Sequence, residues 1–515
     1  MEPPAPCGPG VQFAPAAGIA GHGWMFRSIP GGLSHFETIF VPKQESFSGT
    51  VKSAAKACPC NRNGRERTDG MQMENSFPIR GVIEGYYGKP WTGDQRCDLF
   101  TFMRAQGMNS YFYAAKYDAY HRERWQELYR PDDLRELRRV AERAAACGVD
   151  FWYCIAPGLT FCYSDEEDMR RLLAKTGQVY ELGIRHIGLF LDDIPSELQH
   201  ARDGERYGSL ASAHIDLINR YQALLRQNFA EPITLCVCPW QYCGTGEEEY
   251  ISELGRGIAP EVRLFWTGPQ VCSQTLTGEQ AVRFAAATGH PPLYWDNYPV
   301  NDSGMYREMH LAPLEGRSAD LGTHCDGYVC NGMEYYECTK LVLYTVAAYL
   351  RDPAGYQPDA AWEKALTDAL GEAGSSFLLF TDHTRRSCLR ESNSHNLNAM
   401  LQRLRKALIL GQGEDAKREL NGYLRQMDQL DTCFAEGKFP QALCDELKPW
   451  IRKFDKMHRV LRLTAEYLAL PSRVTADWME DELSAMRAMP VDYGDSVLEQ
   501  TLGEITRSLV PFGKV

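Results

Sequence analysis

The sequence predicts an α/β fold, a (β/α)8 barrel, followed by an all-α helical bundle. Three observations carry this. Eight short β-rich runs lie between Arg80 and Cys330, amphipathic segments separate most of them, and beyond Pro353 the apolar spacing is purely helical. Short buried runs that alternate with helical patterns imply a parallel sheet, and eight such units are the content of a closed barrel.

The strands are expected at residues 80–84, 109–113, 150–155, 186–191, 233–238, 262–266, 293–295 and 327–330. Helical segments such as 132–147 and 166–181 separate them, with Leu134, Leu137 and Val140 recurring at helical spacing in the first. The helices of the fifth to eighth units look short, and an open doubly wound sheet is the alternative architecture. The barrel is expected over residues 77–353, its last helix stopped at Asp352-Pro353. In residues 354–515, Leu397, Leu401, Leu404 and Leu408 repeat at helical spacing, as do Trp450, Phe454, Met457 and Leu461. A structural cap or a dimerisation element is the expected role of this part, and a homodimer through these helices is left open.

Residues 1–72 differ in texture. Pro3-Pro4, Gly8-Pro9-Gly10 and Pro30-Gly31-Gly32 interrupt any apolar periodicity. The segment is expected to be disordered, or untranslated with Met71 or Met73 as the natural start. It lacks the basic start and apolar run of a signal peptide.

The chain has 515 residues, 55 basic and 68 acidic side chains and a formal charge of −13. That acidity argues against nucleic acid as a partner. No run reaches the roughly 18 apolar residues that read as a bilayer span, so no membrane partner is expected. The 17 cysteines contain no CxxC pair, and Cys236, Cys238 and Cys243 fit no zinc-ribbon spacing, so neither a metal nor a cofactor is expected. Reduced thiols in a cytoplasmic protein are the expected state.

A barrel places its chemistry where strands end. The strands run into Glu84-Gly85-Tyr86-Tyr87-Gly88, Tyr113-Ala114-Ala115-Lys116, Ala156-Pro157-Gly158, Asp192-Asp193, Pro239-Trp240-Gln241-Tyr242, Trp266-Thr267-Gly268, Trp295-Asp296-Asn297 and Asn331. Aromatic faces, amides and carboxylates on one rim suit a sugar ring. Asp192-Asp193 follows the apolar run 187–191. Two adjacent carboxylates resist joint ionisation, so an acid and an anion in one site are expected. A Mg²⁺ site, or a helix N-cap with Asp193 ahead of Pro195, are the other readings of the pair.

Seven motifs then occur in order: Arg80-Gly-Val-Ile-Glu-Gly-Tyr-Tyr-Gly-Lys-Pro-Trp-Thr92, Tyr113-Ala-Ala-Lys116 with His121-Arg122, Ala156-Pro-Gly-Leu159, Leu189-Phe-Leu-Asp-Asp-Ile194, Cys238-Pro239 with Tyr242-Cys-Gly244, Trp266-Thr-Gly-Pro269, and Trp295-Asp-Asn297 with Asn301-Asp302. Together they resemble glycoside hydrolase family 84, the β-N-acetylglucosaminidases, over residues 77–366. The resemblance implies a (β/α)8 barrel that removes terminal β-linked N-acetylglucosamine from glycoproteins or glycans. It implies retention through an oxazoline, with the substrate's own acetamide as nucleophile, an exception to the usual pair of enzyme carboxylates.

By position, Asp192 resembles the residue that accepts the acetamide N–H, and Asp193 the general acid and base. Tyr242 resembles the phenol that hydrogen-bonds the acetamide and Trp295 a wall of its pocket. Asp302 resembles the carboxylate that grips O4 and O6. Asn297, Asn331, Lys116, Gly81 and Asp296, which lies within the Trp295–Asn297 motif, resemble the other sugar contacts. Read singly, Tyr242 and Trp295 are core residues, Lys116 a solvated surface charge and Gly81 a packing point.

Some positions depart from the family pattern. Ala115 stands where proline is common, Tyr117 where an acid is frequent, Trp240-Gln241 where Thr-Glu is common, and Gly332, Glu334 and Tyr335 replace proline and amides. None alters the acid pair or Tyr242, so hydrolysis is expected and the difference is placed on the aglycone side. A glycan-binding barrel without turnover, a hyaluronidase-like enzyme and a metal-dependent barrel hydrolase are the alternatives.

Overall fold

The computed structural model describes residues 77–494 and 497–509. The expectation for residues 1–72 lies outside the described residues. Eight parallel strands close into a barrel in chain order: β1 (Ile79–Glu84), β2 (Ser110–Tyr113), β3 (Asp150–Ile155), β4 (His186–Phe190), β5 (Thr234–Cys238), β6 (Arg263–Trp266), β7 (Pro292–Asp296) and β8 (Gly327–Asn331). Closure is by β1 against β8, with Gly81 opposite Val329. The open doubly wound sheet is therefore excluded. Each strand lies within two residues of its expected place.

The strands are buried on both faces, which is why they read as unbroken apolar runs. One set of side chains fills the barrel interior, among them Ile79, Ile83, Phe112, Trp152, Phe190, Phe265, Leu293 and Trp295. The opposite set, with Val82, Tyr111, Tyr153 and Leu189, packs under the surrounding helices. The helices 131–146 and 166–180 fall where the sequence placed them. Local signals set several helix ends. Thr92 and Gln95 form a capping box on the helix Gly93–Gln106, which stops at left-handed Gly107 (φ 76°).

The seventh unit departs from the barrel pattern. Between β7 and β8 there is no α-helix, only the 3₁₀ turns Ser303–Met305 and Leu321–Thr323. Pro299, Pro313, Gly304 and Gly316 interrupt that stretch and oppose helix propagation. The long connection that results carries Asn301 and Asp302.

After the helix Tyr336–Arg351 the chain is helical, from Pro358–Leu370 through Val497–Leu509. The expected apolar stripes are seated. Leu397, Leu401, Leu404, Trp450, Phe454, Met457 and Leu461 are buried, and Leu408 is half-buried. This part is fastened to the barrel at defined points. Arg386 pairs with Glu308, and Arg390 with Glu315. Glu446 Oε1 and Oε2 accept the backbone N–H groups of Glu337 and Cys338, each at 3.0 Å.

Candidate active site

At the C-terminal mouth of the barrel lies a cavity of about 230 Å³ lined by Gly85, Tyr87, Lys116, Asp192, Asp193, Tyr242, Trp295, Asn297, Asp302 and Asn331 among others. Seven of the strand ends expected to supply chemistry from β1, β2, β4, β5, β6, β7 and β8 contribute to it.

The two aspartates have different surroundings. The buried Asp192 (4% exposed) accepts at Oδ2 from Lys116 Nζ at 2.9 Å. Its Oδ1 is buried and meets no donor among the described residues. The Asp193 side chain is 34% exposed and stands 3.6 Å from the same ammonium. Its Oδ2 accepts from the Tyr87 hydroxyl at 2.7 Å. The buried carboxyl is thus held with one acceptor free, while its neighbour stays open to solvent.

Lys116 is 4% exposed, so it is no solvated surface charge. Burial opposes its positive charge, yet Asp192 and Asp193 hold its pKa above the usual lysine range. The ammonium also lies over the rings of Tyr87 (5.4 Å) and Trp295 (5.9 Å).

Trp295 forms a wall against Phe190 and Phe265, with ring centroids 5.5 Å away in each case. A Cβ on Gly85 would stand 2.5 Å from the indole, so the glycine is what lets the ring sit there. The Trp295 Nε1–H donates to Asn297 Oδ1 at 2.8 Å. Asn331 Nδ2 donates to the same oxygen at 3.0 Å, and its Oδ1 accepts from Gly85 N at 3.2 Å. Asn297 Nδ2 donates to Val271 O at 2.8 Å. These amides interlock the ends of β1, β7 and β8. Tyr242 faces the cavity, its phenol pKa raised by burial and by Asp193 and Asp192. Asp302 lines the rim, where its Oδ2 accepts from Tyr87 N at 2.7 Å and burial raises its pKa.

Two expected contacts lie elsewhere. Asp296 is absent from the cavity wall. Side chains alternate along a strand, so with Trp295 inside the barrel, Asp296 takes the other face. There Arg317 binds it through Nε at 2.7 Å and Nη2 at 2.6 Å, and the Tyr328 hydroxyl donates to it. Gly81 sits in mid-strand, where a Cβ would meet Phe112 and Val329 in the barrel interior. It is four residues, about 13 Å of strand, below Gly85, and Gly85 takes its place at the cavity. Glu84 is likewise turned outward, bound by Arg96 at 2.8 and 2.7 Å.

Gly85 and Tyr87 line the cavity, and the sequence reading placed both at the end of β1 without giving either a role. Parity was the available signal for Gly85, since 81, 83 and 85 share a face. Val271, Cys272 and Met305 also line the cavity, and nothing local in the sequence marks them. Among the described residues there is no group of three or more His, Cys, Asp or Glu able to hold a metal ion.

Chemically, the cavity offers a free buried acceptor beside a more exposed carboxyl, an indole wall and polar groups around the rim. That set suits a pyranose carrying an N-acyl arm, with the arm's N–H directed at Asp192.

A family model described as beta-N-acetylglucosaminidase matches residues 80–382. The protein O-GlcNAcases of Rattus norvegicus and Mus musculus are each 31% identical over 277 residues, which is 53% of this chain and 30% of theirs. The match therefore spans less than a third of those relatives' length. The solved structure of a variant of the Thermobaculum terrenum O-GlcNAc hydrolase superimposes with a TM-score of 0.81 at 31% identity, covering 84% of this chain and 95% of that one.

Proposed function

The chain belongs to the beta-N-acetylglucosaminidase family of glycoside hydrolases, and from that premise we propose that it removes terminal β-linked N-acetylglucosamine, foremost O-GlcNAc borne by proteins. We propose further that it does so with retention, through an oxazoline. The names of the rat, mouse and Thermobaculum relatives support the substrate.

The observation that carries the mechanism is the state of Asp192. One oxygen is tied to Lys116 and the other is a buried acceptor that meets no donor among the described residues. An unmet buried acceptor costs about 1–3 kcal/mol, and an acetamide N–H from the substrate meets it. That hydrogen bond turns the acetamide oxygen toward the anomeric carbon and polarises it. Tethering in this geometry replaces an enzyme nucleophile, because the reacting atoms are already held together. Trp295 and Tyr242 shape the space for the acyl arm.

Asp193 reaches solvent at the mouth, where a leaving group exits. It protonates the departing oxygen and then takes the proton from the water that opens the oxazoline. Lys116, fixed between both carboxyls, keeps the two roles in one small space.

Hydrolysis of 4-nitrophenyl β-N-acetylglucosaminide tests the activity, and Asp192→Ala and Asp193→Ala should each be strongly impaired. Wild-type-like turnover by the Asp193 variant would remove that residue's role. NMR of the first-formed sugar should show the β anomer, and an initial α anomer would exclude retention. A thiazoline analogue of the oxazoline should inhibit strongly.

A further inference from the structure

Asp193 has a backbone φ of 50°, in the left-handed region that side-chain-bearing residues rarely adopt. Such a residue persists where its surroundings over-determine it. Here two side-chain donors grip the peptide groups that follow it. Arg122 Nη2 donates to the Asp193 carbonyl at 2.8 Å. Trp240 Nε1 donates to the Ile194 carbonyl at 3.1 Å. Arg122 comes from the connection after β2 and Trp240 from the end of β5, so the turn is held from both flanks.

Both clamps are themselves anchored. Arg122 Nη1 lies 3.5 Å from the Tyr87 hydroxyl, which donates to the Asp193 carboxylate. The Trp240 backbone N–H donates to the Tyr250 hydroxyl at 3.3 Å, and the indole meets that ring edge-on at 5.3 Å. The Tyr250 hydroxyl pairs with His214 Nδ1 at 2.6 Å, and His214 Nε2 with the Tyr163 hydroxyl at 2.8 Å. The indole therefore stands on a buried polar chain that reaches the helix Leu210–Asn228. Trp240 also lies two residues before Tyr242, so one segment sets both a wall of the acyl site and the grip on the Ile194 peptide.

We propose that Trp240 and Arg122 are positioning residues for Asp193, holding its strained peptide so that the carboxyl is aimed at the leaving oxygen. This rests on the reading of Asp193 as proton donor. A carboxyl free to swing loses proton transfer while leaving acetamide attack intact. The loss therefore depends on how much the leaving group needs a proton. Uniform damage to the fold has no such dependence.

Trp240→Phe keeps an aromatic ring and deletes the indole N–H donor. Its kcat/KM should fall about tenfold or more toward the 4-methylumbelliferyl glycoside, whose phenol is the poorer leaving group of the two and needs the proton more, and less than about twofold toward the 3,4-dinitrophenyl glycoside. In an Asp193→Ala background the same substitution should cause no further loss on the first substrate. Equal losses on both substrates, or a full additional loss without Asp193, would overturn the proposal. Should Trp240→Phe not fold, Arg122→Lys, too short to keep its fork on the carbonyl, gives the same comparison. A wild-type enzyme inert toward both glycosides would instead remove the functional reading itself.

Discussion

Lys116 Nζ stands 2.9 Å from Asp192 Oδ2 and 3.6 Å from Asp193 Oδ2, so a single buried ammonium serves both members of the acid pair. Without it, two adjacent carboxyls would face one small apolar-walled space with no positive charge between them. Replacing Lys116 by Met should lower kcat toward aryl N-acetylglucosaminides by about 10² to 10³, the scale of losing one preorganised charged group. Lys116→Arg should not rescue, because a planar fork cannot occupy the place of a point charge between two rings. Near-normal turnover by Lys116→Met would remove Lys116 from the machinery, and near-normal turnover by Lys116→Arg would show that any cation serves in its place.

Asp302 is joined to the site through Tyr87. Its carboxylate accepts the Tyr87 N–H at 2.7 Å, while the Tyr87 hydroxyl reaches Asp193. The resemblance implies that the other Asp302 oxygen grips the O4 and O6 hydroxyls of the sugar. Asp302→Asn should reduce kcat/KM by about tenfold to a hundredfold, the worth of one to two charged hydrogen bonds. The same substitution should cost less on a 6-deoxy substrate. An equal loss on both sugars would show that Asp302 does not touch the 6-hydroxyl.

The barrel was legible because its strands are short, doubly buried and separated by clear helical patterns, as at Asp150–Ile155 and the helix that follows Pro131. Asp192-Asp193 was legible for the same reason, being the polar pair at the end of an apolar run. The misreadings come from geometry that a motif does not carry. Trp295 and Asp296 are neighbours in sequence but opposite in direction, and Arg317, which neutralises Asp296, lies 21 residues on. Gly81 and Gly85 share a face and differ only in depth. The grip of Arg122 and Trp240 on the turn at Asp193 joins three strand ends, and no local spacing records it.

The join between barrel and helical extension offers a stability test. The helix Tyr336–Arg351 has no capping side chain of its own. Glu446, from the helix Gln441–Ala469, fills the place by accepting two N–H groups of its first turn. Trp450, one turn further on, meets Tyr335 edge-on at 5.5 Å. Glu446→Ala should lower unfolding stability by about 1–3 kcal/mol, since two buried donors lose their acceptor and the helix dipole its counter-charge. Glu446→Gln should lose less, and kcat/KM below the melting range should hold in both. A melting temperature unmoved by Glu446→Ala would mean the contact contributes nothing to holding the two parts together.

Acid sensitivity should trace in part to buried histidines away from the site. His214 lies between the Tyr163 and Tyr250 hydroxyls, and His383 between Ser394 Oγ (2.7 Å) and the Tyr423 hydroxyl (3.0 Å). Burial lowers the pKa of each to about 3, against about 6.5 in an unfolded chain. Between those values the unfolded state binds the proton and the folded state does not, so stability falls as pH drops from about 6.5 toward about 3. Glu308, held below the usual carboxylate range against its own burial by His310 and Arg386, works in the same direction. The histidine share is isolated by comparison. The urea midpoint of wild type should fall between pH 7.5 and pH 5, and His214→Gln, although less stable at pH 7.5, should fall by less. Parallel lines for the two proteins would show that His214 takes no part in the acid response.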